Sequence, residues 1–236
     1  MYEQAIYFDS KNEQAYLKLA DIYKGANPQQ AIEKLEQLKS VVPSSVLADK
    51  KLAEVYYMNN RFDKASEAYA RFIHSSETTE DDLVKYAFAL FLNHDFEKSL
   101  EVANLGLKRN ARHAAFNRLA MYNYTDMKRY DDAQKAADAF FNAADKADYS
   151  YLDYMYYGHL LNALKKYDEA VMQYQKAIEL DTSKTELWRE ISNAYEQKND
   201  YTDAIVAYQK YYEALSADEQ TADLPVSYTH LTLPTT

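Results

Sequence analysis

The feature that most constrains this chain is a side-chain spacing that returns with a period of about 34 residues. Residues 167–174 and 201–208 each begin with a tyrosine, carry an alanine three positions later and end with another tyrosine. Related segments occur earlier at 62–69 and 96–103, separated by the same interval, and a looser one occurs at 130–137. A period of this length predicts a repeat array, in which each unit packs on its neighbours.

A second helical segment precedes each of these copies. In the sequence LWREISNAYEQK, the apolar residues Trp188, Ile191 and Tyr195 are spaced so that they form one stripe on a helix. Each unit is therefore predicted to be two short helices. The units are expected to start near residues 13, 46, 80, 114, 151 and 185. Residues 1–12 match only the second half of a unit, so we expect the chain to begin inside the second helix of a truncated repeat.

The composition suits helices and argues against several classes of function. Only 3 glycines and 4 prolines occur, which leaves little turn chemistry for a sheet. The net charge of −10 argues against sequence-independent binding to nucleic acid and to anionic membrane surfaces. The lack of cysteine excludes disulfides, thiolate metal sites and a cysteine nucleophile. No apolar run approaches the roughly 18 residues that a membrane span needs, so we expect no membrane insertion.

The pattern resembles the tetratricopeptide repeat, and the resemblance covers about residues 1–218. The fifth unit matches best, with threonine at Thr182 where proline is usual. Its matching residues are Tyr154, Tyr157, Gly158, Leu161, Tyr167, Ala170, Tyr174 and Ala177. The resemblance implies an all-α fold, a right-handed α-α solenoid of six full helix-turn-helix units over residues 13–224, preceded by a half unit.

Small and aromatic residues have different roles in the packing of the two helices of a repeat. Small residues allow close approach of the two helices in a unit, and the 24 tyrosines fill the wider gaps with their hydroxyls at the wet edge. The small residues expected at this seam are Ala53, Ala87, Ala120 and Gly158 on first helices and Ala65, Ala133, Ala170 and Ala204 on second helices.

The sequence contains no motif for catalysis or for cofactor binding. It has no glycine-rich phosphate loop, zinc-protease helix motif or nucleophile elbow. None of its five histidines stands at ligand spacing with another. We therefore predict that the protein is not an enzyme, and we expect no cofactor, no metal and no small-molecule substrate.

The resemblance implies that the first helix of each unit lines a concave face that holds an extended peptide or a partner helix. Aromatic and methionine side chains there suit an adaptable apolar contact, and asparagines can hydrogen-bond a peptide backbone. The predicted partner-binding residues are Tyr57, Phe88, Phe91, Asn117, Met121, Tyr124, Met155, His159, Asn162 and Asn193. The alternative for Phe88 and Phe91 is that they pack against neighbouring helices.

The clamp that some members of this family use for acidic C-termini is not expected. It needs a lysine and an asparagine on one first helix, then an asparagine, then a lysine or arginine on the next two. Here Lys50 is followed one turn later by Glu54, and Arg118 is only a partial match.

These features predict a non-catalytic scaffold that binds a protein or peptide partner in its concave groove. Two alternatives stay open: a substrate-recruiting module of a larger enzyme, and a structural protein of the cell envelope. The compartment is open too, and cytoplasm and periplasm both fit.

The last residues differ from the rest of the chain. The sequence VSYTHLTLPTT contains no charged residue and shows no apolar stripe for a further helix. Residues 226–235 resemble the translation of an adapter used in preparing DNA sequencing libraries. We therefore expect residues 225–236 to be a non-native tail without stable structure or function.

Overall fold

The structure, a computed structural model, describes residues 1–215 and consists there of α-helices joined by short turns. The helices are α1 Tyr2–Phe8, α2 Glu13–Ala26, α3 Pro28–Val41, α4 Val46–Met58, α5 Phe62–Phe72, α6 Glu80–Leu92, α7 Phe96–Arg109, α8 Ala114–Asp126, α9 Tyr130–Ala143, α10 Tyr151–Ala163, α11 Tyr167–Leu180, α12 Leu187–Gln197 and α13 Tyr201–Ala214. No strand occurs among the described residues, so the all-α prediction is confirmed. The expected tail at 225–236 lies outside them.

The described residues divide into two compact bodies, Met1–Met127 and a second one that begins at Lys128. In the first body, α2 packs on α3, α4 on α5 and α6 on α7, and each pair contacts the next through α3 and α4, α5 and α6, and α7 and α8. In the second body, α10 packs on α11 and α12 on α13, with α11 against α12 and α9 against α10. Each body is thus built from helix pairs that contact their neighbours in chain order.

One residue with a positive φ ends the first helix of most repeats. These residues are Asn60, His94, Lys128, Lys165 and Asn199, each two positions before the second helix begins. After Asn60, the amide of Arg61 donates to the carbonyl of Tyr56 at 2.9 Å, which closes the helix end in the manner of a Schellman motif. The chain reverses within a few residues at each of these positions without using glycine.

The first repeat lacks this positive-φ turn, and the last repeat differs at the start of its first helix. Between α2 and α3, Asn27 caps the second helix directly and Pro28 takes its first position, which shortens the turn. At the other end, α12 begins at Leu187, slightly after the start expected near 185, because residues 185–186 form a turn.

The seam between the two helices of a repeat is made of small residues. Ala53 and Ala65 are completely buried, as are Ala87 and Ala170. Where serine replaces a smaller residue, its hydroxyl donates across the seam: Ser192 Oγ lies 2.9 Å from the carbonyl of Ala204. Ser99 does the same in the third repeat, donating to the carbonyl of Ala87 at 2.7 Å. At both positions the seam accommodates a hydroxyl that reaches a carbonyl of the facing helix.

Two helices begin with a capping box that ends in a buried aspartate. In α6, Thr79 Oγ1 accepts from the amide of Asp82, and the Asp82 carboxylate accepts from the amide of Thr79. The Asp82 carboxylate also accepts from Lys50 Nζ of α4 at 2.7 Å, so it joins two repeats. In α10, Ser150 and Asp153 form the same box.

Glycine is required where α7 meets α8. A Cβ atom added to Gly106 would lie 2.0 Å from the ring of the fully buried Phe116. We predict that Gly106→Ala lowers the free energy of unfolding by about 1–2 kcal/mol, because overpacking outweighs the gain in helix propensity. Gly25→Ala is the matched control: it meets nothing within 4 Å and should raise stability by up to about 1 kcal/mol. Urea unfolding measures both, and a stabilised Gly106→Ala variant would contradict the predicted overpacking.

The Asp82 carboxylate should make the first body sensitive to acid. Burial alone would raise its pKa, but hydrogen bonds from Lys50 and Thr79 outweigh burial and lower the pKa. Its stabilising effect is therefore complete above the unfolded-state pKa of about 3.9 and is lost as the pH falls through the lower folded-state value. We predict that Asp82→Asn costs about 1 kcal/mol at pH 7 and that the cost shrinks below pH of about 4.

Denaturant unfolding between neutral and acidic pH measures this cost. Asp81→Asn is the control, because the neighbouring Asp81 is 69% exposed and outside the capping box, and it should change stability little throughout. A cost for Asp82→Asn that stays constant down to low pH would contradict the assignment.

Candidate functional site

Side chains of α4 and α6 form a surface that we call the α4–α6 face: Glu54 and Tyr57 of α4 with Asp81, Val84 and Phe88 of α6. Asp81 is exposed, and the other four are half-buried. Their spacing of three or four residues places the members from each helix on one side of that helix. Burial raises the pKa of Tyr57, and the Asp81 carboxylate raises it further, so the two helices present these groups close together. The salt bridge from Lys50 to Asp82 links the same two helices. Sequence reasoning found Tyr57 and Phe88 as partner-binding candidates, and both lie on this face.

Phe91 lies beneath the face and belongs to the core. Only 6% of the residue is exposed, and its ring centroid lies 6.2 Å from that of Phe88, 5.8 Å from Phe96 and 5.6 Å from Tyr122. Phe88 is the more exposed member of this aromatic cluster. The alternative hypothesis, in which these aromatic side chains pack against neighbouring helices, fits the buried Phe91. It fits Phe88 only in part, because Phe88 is half-buried.

Two of the three candidates on α8 point into the interior. Met121 is completely buried, and the side chain of Asn117 donates to the carbonyls of Ala111 and His113 at 3.0 and 3.1 Å. Tyr124 is half-buried, as is Arg118. We therefore leave Asn117 and Met121 out of the candidate surface.

Met121 is buried because the order of large and small residues in α8 is the reverse of that in the other first helices. Other first helices place the large residue before the small one, as in Tyr86–Ala87 and Tyr157–Gly158. In α8 the order is Ala120 followed by Met121, and Met121 takes the position in its repeat that Ala87 takes in the one before. The position that Ala87 and Gly158 occupy in their repeats is buried. Met121 occupies the same position in α8, so its side chain is buried too.

In the second body, all four predicted residues are half-buried on first helices. Met155, His159 and Asn162 follow one another along one side of α10, and Asn193 lies on α12. Met155 packs against the core cluster that includes Leu161 and Tyr174. The His159 ring meets that of Tyr174 edge-on at 5.5 Å, and Asn162 Oδ1 is buried without a hydrogen-bond partner among the described residues. These side chains form a mixed apolar and amide surface.

Charged residues beside the α4–α6 face are paired with one another. Lys51 Nζ lies 3.3 Å from Glu54 and 2.9 Å from Asp21, and Lys85 pairs with Asp81. Lys50 is held by Asp82. Of the residues weighed for a clamp on acidic C-termini, Lys50 is thus engaged by Asp82.

A charged cleft of about 500 Å³ lies between α3 and α5. On its floor, the Asp49 carboxylate accepts from Lys39 Nζ at 2.7 Å and from Arg71 Nε at 2.6 Å. Lys39 also donates to the carbonyl of Pro43 at 2.6 Å. These bonds tie three helices together, so we interpret the buried charges as part of the scaffold.

Two further properties of residues 1–215 bear on function. No group of three or more histidine, cysteine, aspartate or glutamate side chains there is placed to hold a metal ion. None of the helices in that part of the chain is both long and apolar enough to cross a membrane.

Family models of the tetratricopeptide repeat match residues 14–45 and 158–219. MamA from Desulfovibrio magneticus RS-1 is similar in structure, with a TM-score of 0.61 and 16% identity over 77% of this chain and 98% of that one. MamA MSR-1 gives a TM-score of 0.60 with 15% identity over 75% of this chain and 98% of that one. The Cut9–Hcn1 hetero-tetramer of APC/C gives 0.67 with 13% identity over 94% of this chain and 43% of that one. At these identities the likeness concerns the fold.

A comparison with curated protein sequences gives no match. The repeat models and the helix-pair geometry agree with each other and with the period of the sequence. The chain therefore carries tetratricopeptide repeats at residues 14–45 and 158–219.

Proposed function

We propose that this chain is a non-catalytic scaffold that binds a protein or peptide partner through its first helices, with the α4–α6 face as the principal contact. Tyr124 of α8 extends the candidate surface within the first body. Met155, His159, Asn162 and Asn193 are the candidate contacts of the second body.

The observation that carries the proposal is the half-exposed apolar strip on α4 and α6. Tyr57, Val84 and Phe88 are partly open to solvent, and the charged residues beside them are already paired. An apolar strip with a polar rim is the arrangement found at protein interfaces, where a few buried aromatics provide most of the affinity. Phe91 supports Phe88 from below, which holds the strip rigid.

The fold of the chain supports the same class of function. The Cut9–Hcn1 neighbour is a hetero-tetramer, so a protein of this fold assembles with other proteins. We propose no small-molecule substrate, cofactor or nucleic acid for this chain, in keeping with its acidic composition and with the lack of a catalytic motif in its sequence.

A photo-crosslinking experiment tests the face directly. A benzophenone amino acid replaces Phe88 in one protein and Leu105 in another, and each is irradiated in an extract of the cells that encode the chain. Leu105 is a matched control because it is an exposed apolar residue of a second helix, 37% exposed. We predict that position 88 gives a recurrent crosslinked protein and that position 105 does not.

The captured protein is then measured for binding to purified variants. Phe88→Glu should weaken its binding by about 2–4 kcal/mol, the range of an interface hot spot, and Leu105→Glu should leave it within about 0.5 kcal/mol. Circular dichroism confirms that both variants are folded. Equal crosslinking from both positions, or binding that survives Phe88→Glu, would place the partner elsewhere.

A further inference from the structure

The charged cleft between α3 and α5, which we call the α3–α5 cleft, is held together by one buried carboxylate and two cations. Asp49 of α4 lies on its floor and is only 5% exposed. Its carboxylate accepts from Lys39 Nζ of α3 at 2.7 Å and from Arg71 Nε of α5 at 2.6 Å. Both walls of the cleft are therefore fixed to the same point of the floor, and these three side chains together carry one positive charge in excess.

Part of the Arg71 guanidinium is not used by the scaffold. Its Nε atom bonds to Asp49, whereas its two terminal Nη atoms make no hydrogen bond to the described residues. The Arg71 side chain is 46% exposed and lines the cleft. Lys39 differs, because its ammonium donates to the carbonyls of Pro43 and Ser45 as well as to Asp49 and so uses its three donors. The open donors at this end of the cleft therefore belong to Arg71.

The repeat itself shows that the fold does not require an ion pair at this place. The positions of Asp49 and Arg71 correspond to Leu83 and Leu105 in the third repeat, and Leu83 is buried there. Replacing a buried ion pair by apolar side chains is often neutral or stabilising. The pair of the second repeat nevertheless has one property that two leucines lack, since it fixes the orientation of a guanidinium whose outer edge is open.

We propose that the α3–α5 cleft binds an aspartate or glutamate side chain of a protein partner, with the two Nη atoms of Arg71 donating to its carboxylate. A guanidinium presents two parallel N–H groups that match the two oxygens of a carboxylate. Asp49 positions the guanidinium through Nε, so less side-chain entropy is lost when the carboxylate binds. The site uses no residue of the α4–α6 face and does not rest on the proposed function.

Charge selects a carboxylate over other groups. A cation would meet Arg71 and Lys39, which repel it. A neutral amide could accept from Arg71, but a hydrogen bond between a charged donor and a charged acceptor is about twice as strong as a neutral one. A phosphate dianion would be repelled by Glu36 and Glu67, which line the same cleft, and the net charge of −10 opposes it further. A single negative charge on a planar group fits best.

The form of the cleft favours a side chain of a protein over a free ion. Its walls include the exposed residues Ser40 of α3 and Arg71 of α5, so the cleft is open to solvent. Its volume of about 500 Å³ is in the range of sites that hold ligands much larger than a carboxylate group. Leu52 lies on the floor, where the methylene groups of an acidic side chain can pack. A bound segment therefore gains apolar contact that a free carboxylate ion does not.

Short peptides and the arginine signals of the full chain test the site. The peptides Ac-GSGXGSG-NH2, with glutamate, aspartate, glutamine or phosphoserine at X, are titrated against protein labelled at the arginine side-chain nitrogens and followed by NMR. We expect the glutamate and aspartate peptides to shift the Arg71 signals and to bind at least about tenfold more tightly than the glutamine peptide. Sodium acetate is titrated in parallel and should bind more weakly than the glutamate peptide, because it lacks the methylene groups and the backbone.

A lysine variant separates recognition from structure. Arg71→Lys keeps a positive charge beside Asp49 but removes the forked donors, so the fold should persist by circular dichroism while the preference for the glutamate peptide over the glutamine peptide disappears. Arg109→Lys is the matched control: it changes an exposed arginine of another second helix, α7, and should leave the preference intact.

The inference is overturned if no peptide shifts the Arg71 signals, if the glutamine and glutamate peptides bind equally, or if Arg71→Lys keeps the preference. Equal binding of sodium acetate would reduce the site to an adventitious ion only, and tighter binding of the phosphoserine peptide would make it a phosphate site. Each of these results contradicts the inference and leaves the Phe88-dependent capture of a partner unaffected. Loss of the Phe88 dependence would remove the proposed function instead and leave this site standing.

Discussion

The rest of the structure depends on the close contact between the two helices of each repeat. Ala53 faces this seam from a first helix and Ala65 from a second, and neither exposes any surface. With only a methyl group at these positions, the two backbones approach closely and the larger side chains are directed to the edges of the pair. The serine bonds across the seam at Ser99 and Ser192 obey the same limit, because each hydroxyl reaches a carbonyl of the facing helix.

Beside the seam, two positions 22 residues apart, one on each helix of a repeat, contact each other through different interactions in different repeats. In the second repeat, Asp49 of the first helix binds Arg71 of the second. At the same separation along the chain, Lys176 lies 5.5 Å from the ring of Tyr154 and Lys210 lies 4.1 Å from that of Trp188. The same pair of positions thus holds an ion pair in the second repeat and a cation–π pair in the fifth and sixth repeats. Charged residues at these positions contribute to the scaffold, so function has to be sought among groups that the scaffold leaves unused.

The sequence predicts the helix pairs well because each repeat unit between residues 13 and 215 also shows the apolar spacing of α-helices. It fails at α8, where Ala120 and Met121 exchange their usual sizes and the predicted face turns by about one residue, or roughly 100°. It cannot separate Phe88 from Phe91, since both fit an apolar stripe and only their neighbours decide which one is exposed.

Repeat packing also explains why the proposed binding surface on α4 and α6 can change without loss of the fold. In the first body the helix pairs pack against their neighbours in chain order, so a substitution on the face disturbs few other helices. The buried network of Lys50, Asp82 and Thr79 joins these two helices from their starts, and Tyr57 and Phe88 stand outside that network. The scaffold and the proposed recognition surface are therefore made by different residues of the same helices.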